Sequence, residues 1–378
     1  MLDHVVRRGL EHPATISLIK RAVKEGPELE VPKWGVALVV ITCIGFFLLV
    51  SSVEYTLRDV VATLAMVETP SAAITVSPSE ESAPKDVKEA LLETGPSITL
   101  VHQKPITSSI RGTLRHLTSE AGRLSRWRGL LSCIAYSLVF NVVVNIVDVI
   151  IPRVPGKMVL VAGIAGGLLA NVHTAWTHKV IAAPAEKKFQ MWSRIPSRSY
   201  WRHLAPAAAL NAASSFLALY IAQGWVVLLR MDRVGQDNFA AYSGAQWTSL
   251  VLRCISLIAV VFATAIFLIL PAHVTQIRIE ASILPEDKDT IVPFDRTFAG
   301  KVVPKILGGT GAVGFLDAWR SFNWEARRRL IKLYVKICAI VTVLFIVLTH
   351  VLAFETWAIM GPAVGKFLAQ AKHDGYVS

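Results

Sequence analysis

The stretch from Trp127 to Ile151 reads WRGLLSCIAYSLVFNVVVNIVDVII. Residues 130–151 carry one charge, Asp148. Their number is close to the roughly 20 apolar residues that cross a bilayer core. Backbone groups in lipid must be satisfied internally, so such a run predicts a helix. Five further runs read the same way. Residues 34–53 and 204–229 carry no charge; 158–176 and 337–354 carry none either, with His173 and His350 inside them. Residues 250–271 carry only Arg253. Apolar residues make up 53% of the chain and charged ones 17%, against about 25% charged in an ordinary soluble domain. The apolar residues are blocked rather than periodic, which argues against the buried core helices of a soluble protein. The expected fold is an all-α integral membrane protein with six transmembrane helices.

A Trp-Arg pair precedes each even-numbered span: Trp127-Arg128, Trp201-Arg202 and Trp319-Arg320. Repetition of a two-helix unit that cannot bury itself alone predicts a closed bundle of three pseudo-repeated hairpins. The boundaries follow: an N-terminal tail over 1–33, repeat one over 34–155, repeat two over 156–245, repeat three over 246–362 and a C-terminal tail over 363–378. Residues 68–105 are rich in Ser, Thr, Pro and Glu and read as a flexible insertion in repeat one.

Loop charge sets orientation. Arg111, Arg115, Arg123, Arg126 and Arg128 enter the second span; Lys179, Lys187, Lys188, Arg194, Arg198 and Arg202 follow the third; Arg320, Arg327, Arg328, Arg329, Lys332 and Lys336 enter the sixth. Six alternating crossings put these three basic loops on one side and both termini on the other. The net charge of +12 is thereby accounted for by orientation. No zinc finger, RNA-binding aromatic motif or isolated basic domain points to nucleic acid.

Other classes are set aside on similar grounds. Cys43, Cys133, Cys254 and Cys338 lie in or beside spans without paired spacing, so neither disulfides nor a metal site are expected, and buried structural thiols are. No cleavable signal peptide is evident near the start. Gly308-Gly309-Thr310-Gly311 lacks the lysine and context of a phosphate loop and reads as a tight turn. No nucleophile–base pair or paired carboxylates stand out, so no catalytic residues, no cofactor and no enzyme activity are expected.

Ile110-Arg111-Gly112, Glu120-Ala121-Gly122 and Trp127-Arg128-Gly129-Leu130-Leu131 together resemble the mitochondrial carrier family. There each odd helix ends in Pro-x-Asp/Glu-x-x-Lys/Arg. A surface helix and Glu-Gly then lead to aromatic-Arg/Lys-Gly and the even helix. Trp201-Arg202-His203-Leu204 followed by Pro206 is similar to the start of a family even helix, and Pro271 through Glu280 (PAHVTQIRIE) is similar to the odd-helix motif, with His273 for Asp and Gln276 for Lys. Gly163 and Gly167 match the small-residue spacing of family odd helices. The resemblance covers roughly residues 34–360 and implies three tilted helix pairs around a pseudo-threefold axis.

The departures fall on the gates. The family's first ring of acids would map to Glu54, His178 and His273, with Leu57, Ile181 and Gln276 where bases belong. The second ring would have Asp148, Gln223 and Glu355, with Ile151, Val226 and Ala358 as bases. Neither ring holds its cations, although a protonated histidine facing Glu54 would restore a pH-dependent gate. Gate-position candidates are thus Glu54, His178, His273, Gln276, Arg278 and Glu355. Polar residues at membrane depth, Asn141, Asn145, Asp148, Asn211, Ser215 and His350, are candidates to line a cavity or to bond helix to helix. By resemblance, Arg128 with Gly129, Arg202 and Arg320 are candidates for an anionic lipid such as cardiolipin, with each Trp at the membrane interface. The function implied is movement of a small, anionic metabolite across a mitochondrial membrane, the inner one before the outer. The alternative is a non-transporting carrier relative of the outer membrane, acting in protein insertion, membrane fusion or as a scaffold. The sequence leaves substrate and oligomeric state open.

Overall fold

The computed structural model describes residues 33–69, 72–77, 97–102, 104–184, 195–236, 242–303 and 307–373. Its architecture is helical, with one short antiparallel ribbon of β1 (Ala72–Ser77) and β2 (Ser97–His102), paired from Ala72 with His102 to Ser77 with Ser97. The helices are α1 (Lys33–Glu54), α2 (Ala62–Val67), α3 (Ile110–Ala121), α4 (Leu130–Ile150), α5 (Lys157–Leu168), α6 (Ala170–Ile181), α7 (Trp201–Leu228), α8 (Gly244–Thr264), α9 (Leu270–Ser282), α10 (Phe315–Arg320) and α11 (Trp324–His373). Among the described residues, five helices are long and apolar enough to cross a membrane, and a sixth span results if α5 and α6, bent by 67° at the break between them, are taken together.

The chain divides into two compact units, residues 1–53 with 338–378, and residues 54–337. In the first, α1 meets the later part of α11. Gly35 is buried against Ile359, and a Cβ on Gly35 would lie 2.4 Å from Ile359 Cγ2. The Thr42 hydroxyl donates to Glu355 Oε1 at 2.6 Å.

In the second unit three spans are interrupted. A π-helical turn, Tyr55–Val61, separates α1 from α2, and another, Ala265–Ile269, separates α8 from α9 just before Pro271. Between α5 and α6 the break follows Gly166 and Gly167, a pair of residues that commonly permits a kink. Trp201 Nε1 donates to the Gly167 carbonyl at 2.9 Å, replacing a partner that the broken ladder lacks. Burial follows the interruptions. The apolar window of Lys33–Val67 is 0% buried and that of Gly244–Ser282 only 6%, while α2 is wholly buried and α9 almost so. The second halves α2, α6 and α9 pack against one another. Ala170, Leu204, Ala208, Ile279, Phe298 and Ala318 belong to one core cluster beside them.

Helices α5 and α7 pack through small residues. A Cβ on Gly166 would lie 2.6 Å from Ala212 Cβ and 2.8 Å from the Ala208 carbonyl, whereas at Gly163 and Gly167 the nearest atoms are 3.5 and 3.6 Å away. The tight approach of α5 and α7 thus falls on Gly166, while Gly163 and Gly167 on either side make ordinary contact. The thiols are corrected: all four are free, but Cys43, Cys254 and Cys338 are exposed and Cys133 is half-buried. The apolar windows of their spans have little protein packed on them, so an apolar neighbourhood in sequence does not bury them.

The insertion in repeat one is anchored at its root. Glu68, 3% exposed, accepts from Ile106 N at 2.5 Å and Thr107 N at 3.1 Å. Residues 68 and 106 therefore meet, and the ends of the intervening segment pair as β1 and β2, an order that composition alone did not suggest.

The segment from Ile283 to Val303 forms a strap over the ends of α2 and α6 and against the middle of α3. Ile291 N donates to Ile181 O at 2.9 Å and Ala183 N to Asp289 O at 2.7 Å. Thr69 N donates to Pro293 O at 2.9 Å, and His116 Nε2 to Ile291 O at 2.9 Å. Asp295 organises the next turn, accepting from Thr297 N at 2.9 Å and Ala299 N at 2.8 Å. Phe298 and Ala299 hold φ of 51° and 58° there, a conformation non-glycine residues keep only when their surroundings impose it.

Candidate functional site

Where α6 and α9 meet, four polar side chains share a buried space. Glu280 of α9 is 1% exposed. Its Oε1 lies 2.7 Å from His173 Nδ1 and accepts from Gln276 Nε2 at 2.8 Å. Its Oε2 accepts from the Thr177 hydroxyl, and its backbone carbonyl accepts from His178 Nε2 at 2.7 Å. Helical spacing explains the assembly. His173 and Thr177 lie one turn apart on α6, Gln276 and Glu280 one turn apart on α9, so each pair presents one face. Burying a carboxylate is costly unless its oxygens are filled, and here both are. Tyr136 of α4 meets the His173 ring edge-on at 5.0 Å and Trp176 does so at 5.1 Å, holding the imidazole in place.

A second buried group ties the same end together. Arg278, 5% exposed, donates from Nη1 to Met66 O at 3.0 Å, from Nε to Ala318 O at 3.0 Å and from Nη2 to Ser321 Oγ at 3.1 Å. Its guanidinium lies over the rings of Phe298 and Phe322, at 4.9 and 5.4 Å. One side chain thus joins the end of α2, α10 and the turn after it to α9.

Of the gate-position candidates, His178, Gln276 and Arg278 belong to this buried region. Glu54 instead pairs with Arg58 on its own helix turn at 3.1 Å, with both side chains about half exposed. His273 is half-buried at the start of α9. Glu355 sits in the other unit with Thr42, and its Oε2 is buried without a hydrogen-bond partner among the described residues. The acid that organises the site, Glu280, closes the Pro271 motif, and its partner His173 lies inside the third span. Their separation of 107 residues left no local pattern joining them. The available signals were that His173 is a titratable group in an apolar run and that Glu280 ends the Pro271 motif.

The cavity candidates are placed less centrally. Asn141 and Asn145 are exposed and donate to the Ser137 and Asn141 carbonyls, one turn back, at 2.8 and 2.7 Å. Asp148 pairs with Lys157 at 2.8 Å across the turn between α4 and α5. Asn211 is half-buried, and its carbonyl accepts from Ser214; Ser215 is exposed. His350 is exposed, with Nδ1 2.8 Å from the Ile346 carbonyl.

At the lipid candidates, Arg128 turns inward: Nε donates to Lys179 O at 2.7 Å and Nη2 to Ala182 O. It thereby caps the end of α6, where free carbonyls favour a cation. Gly129, φ 78°, opens α4, and a Cβ there would lie 3.2 Å from both Trp176 and Val180. Arg202 and Arg320 are exposed. The three tryptophans differ locally. Trp127 ends a 3-10 turn, Trp201 opens α7 with its N–H on protein, and Trp319 carries Arg327 over its ring at 4.0 Å. Gly308 and Gly311 take φ of 79° and 66°, in keeping with a turn.

Comparison with protein-family models, with curated proteins and with solved structures finds no match for the chain.

Proposed function

We propose that the chain is a divergent carrier-type membrane transporter, built as three pseudo-repeated hairpins, that moves a small anionic metabolite across a mitochondrial membrane. The observation that carries this reading is the convergence of α2, α6 and α9, each the second half of an interrupted span. Three half-spans meeting at one end of a bundle make a closure, and a closure held by polar contacts can open. In this reading the His173–Glu280–Gln276 cluster replaces the family's ring of acids and bases. Asn141, Asn145, Asn211 and Ser215 are then the groups that meet the solute, the inner membrane is the location, and exposed Arg202 and Arg320 reach lipid headgroups.

The test is reconstitution of the full chain into liposomes and uptake of a panel of labelled metabolites. Saturable uptake of one anion, reduced several-fold by Asn145→Leu, is expected. Uptake no faster than in empty liposomes across the panel would sink the reading.

A second reading, a non-transporting relative in the outer membrane, draws on one observation: the strap is stitched across the end where α2, α6 and α9 meet. Submitochondrial fractionation separates the two, with inner-membrane residence supporting transport.

A further inference from the structure

The first turns of α11 and the 3-10 turn at Ile106–Ser108 enclose a cavity of about 420 Å³. Arg328, Arg329, Lys332 and Lys336 line it from α11, and Thr107 and Ser108 from the turn. Arg328, Lys332 and Lys336 lie four residues apart on one helix face. Like charges at that spacing repel. All three are exposed, and among the described residues none makes an ion pair or a hydrogen bond.

Exposed charge alone is an ordinary solvated face, but Arg329 is not exposed in that way. Its side chain is only 13% exposed, and Glu68 Oε2 stands 3.6 Å from its Nη2. That oxygen already accepts from Thr107 N at 3.1 Å and from the Thr107 hydroxyl. A carboxylate oxygen has two lone pairs, so Oε2 has none left for the guanidinium. Glu68 therefore holds Arg329 in place by charge without using its donors. A guanidinium carries five of them, and here none is hydrogen-bonded among the described residues; Nε and Nη2 are buried as well. The nearby arginines behave differently. Arg278 and Arg327 give theirs to main-chain carbonyls.

The charge balance fits the same conclusion. Glu325 lines the cavity and Glu68 adjoins Arg329, so four cations face two acids. Two positive charges remain in excess, the complement of a phosphate dianion. Guanidinium donors and lysine point charges are the groups that recognise phosphate oxygens. In sequence, Lys336 immediately precedes the charge-free run 337–354. Basic residues in that position attract anionic headgroups when the run crosses a bilayer.

We propose that this cavity binds a phosphate group, Arg329 donating to its oxygens and Arg328, Lys332 and Lys336 supplying the surrounding charge. The group belongs to an anionic lipid headgroup or to a water-soluble phosphate compound, and the chemistry of recognition is the same. Arg128, Arg202 and Arg320 do not line the cavity, so the site is separate from the three Trp-Arg pairs. It does not rest on the transporter reading.

The test offers two probes to full-length protein, delipidated in a mild detergent. Inorganic pyrophosphate is titrated by calorimetry, and dioleoyl phosphatidate is counted by native mass spectrometry. The wild type binds at least one of them, and Arg329→Gln weakens that binding about tenfold or more. Should this variant fail to fold, Lys332→Gln with Lys336→Gln, at two exposed positions, takes its place with the same loss expected. Arg115→Gln with Arg123→Gln, also exposed and outside the cavity, removes as much charge as that pair and leaves affinity within about twofold of the wild type. Pyrophosphate binding assigns the site to a soluble phosphate, phosphatidate binding alone assigns it to a headgroup, and both support it. Binding of neither probe, an affinity indifferent to Arg329→Gln, or equal losses in the two double variants overturns the proposal.

Discussion

Arg278 illustrates what one side chain does when its charge is surrounded by carbonyls. Its fork reaches Met66 O, Ala318 O and Ser321 Oγ from a single plane. A lysine keeps the charge but presents a point, not a fork. Arg278→Lys is expected to lower stability by roughly 2–4 kcal/mol, because buried carbonyls lose charged donors; thermal unfolding in detergent reads this directly, and an unchanged melting temperature would refute the tie. Gly166 gives the steric counterpart. Gly166→Val drives side-chain atoms into the Ala208 backbone and is expected to abolish a well-folded detergent sample, while Gly163→Ala, with its nearest atoms 3.5 Å away, leaves the melt near that of the wild type. Size-exclusion profiles of the pair decide. Arg278 was visible in sequence inside a motif, and Gly163 and Gly167 as spaced small residues, but Gly166 was not singled out. What each touches was not visible, since contacts between helices are fixed by tertiary packing that no single helix encodes.

At the scale of elements, the root of the insertion makes a definite claim. Glu68 binds Ile106 and Thr107 directly, so the chain leaves and re-enters the bundle at one place. Replacing residues 70–104 by a short Gly-Ser linker is expected to preserve folding, since closing a loop between adjacent points costs little. A large drop in melting temperature would show that β1 and β2 contribute to the bundle. The strap carries a pH signature through Asp295. Burial acts to raise its pKa, but the Thr297 hydroxyl, the Ala299 and Thr297 amides and nearby Arg278 outweigh this and hold it below the ordinary aspartate value. A carboxyl depressed in the folded state stabilises above its unfolded value of about 3.9, and that contribution fades as pH falls through the lower folded value. Asp295→Asn should therefore cost stability at neutral pH, with the gap to the wild type closing in strong acid. A gap constant with pH would assign the loss to packing alone. The sequence marked this loop by its prolines and glycines. It could not reveal the strap, because the partners of residues 289–293 are backbone atoms of Thr69, Ile181 and Ala183, and main-chain pairing leaves no trace in side-chain identity.

For the whole molecule, five of the six expected spans are matched by long apolar helices among the described residues, because each run announces itself through length and lack of charge; the sixth is met only if the bent pair α5 and α6 is one span. The interruptions were half legible: Pro271 and the Gly166-Gly167 pair mark two, while the π-helical turn at Tyr55–Val61 has no breaker residue to betray it. The orientation expected from loop charge predicts that a cysteine placed at residue 80 and one at the C-terminus react with an impermeant maleimide from opposite faces of sealed vesicles. Reaction from the same face would undo the six-crossing topology. The strap bears on how such a molecule behaves in the test tube. Its bonds to Thr69, His116, Ile181 and Ala183 constrain one another, so they yield together or not at all. A purified sample should accordingly occupy one conformer rather than a spread of half-open ones, which would favour particle averaging without a trapping inhibitor.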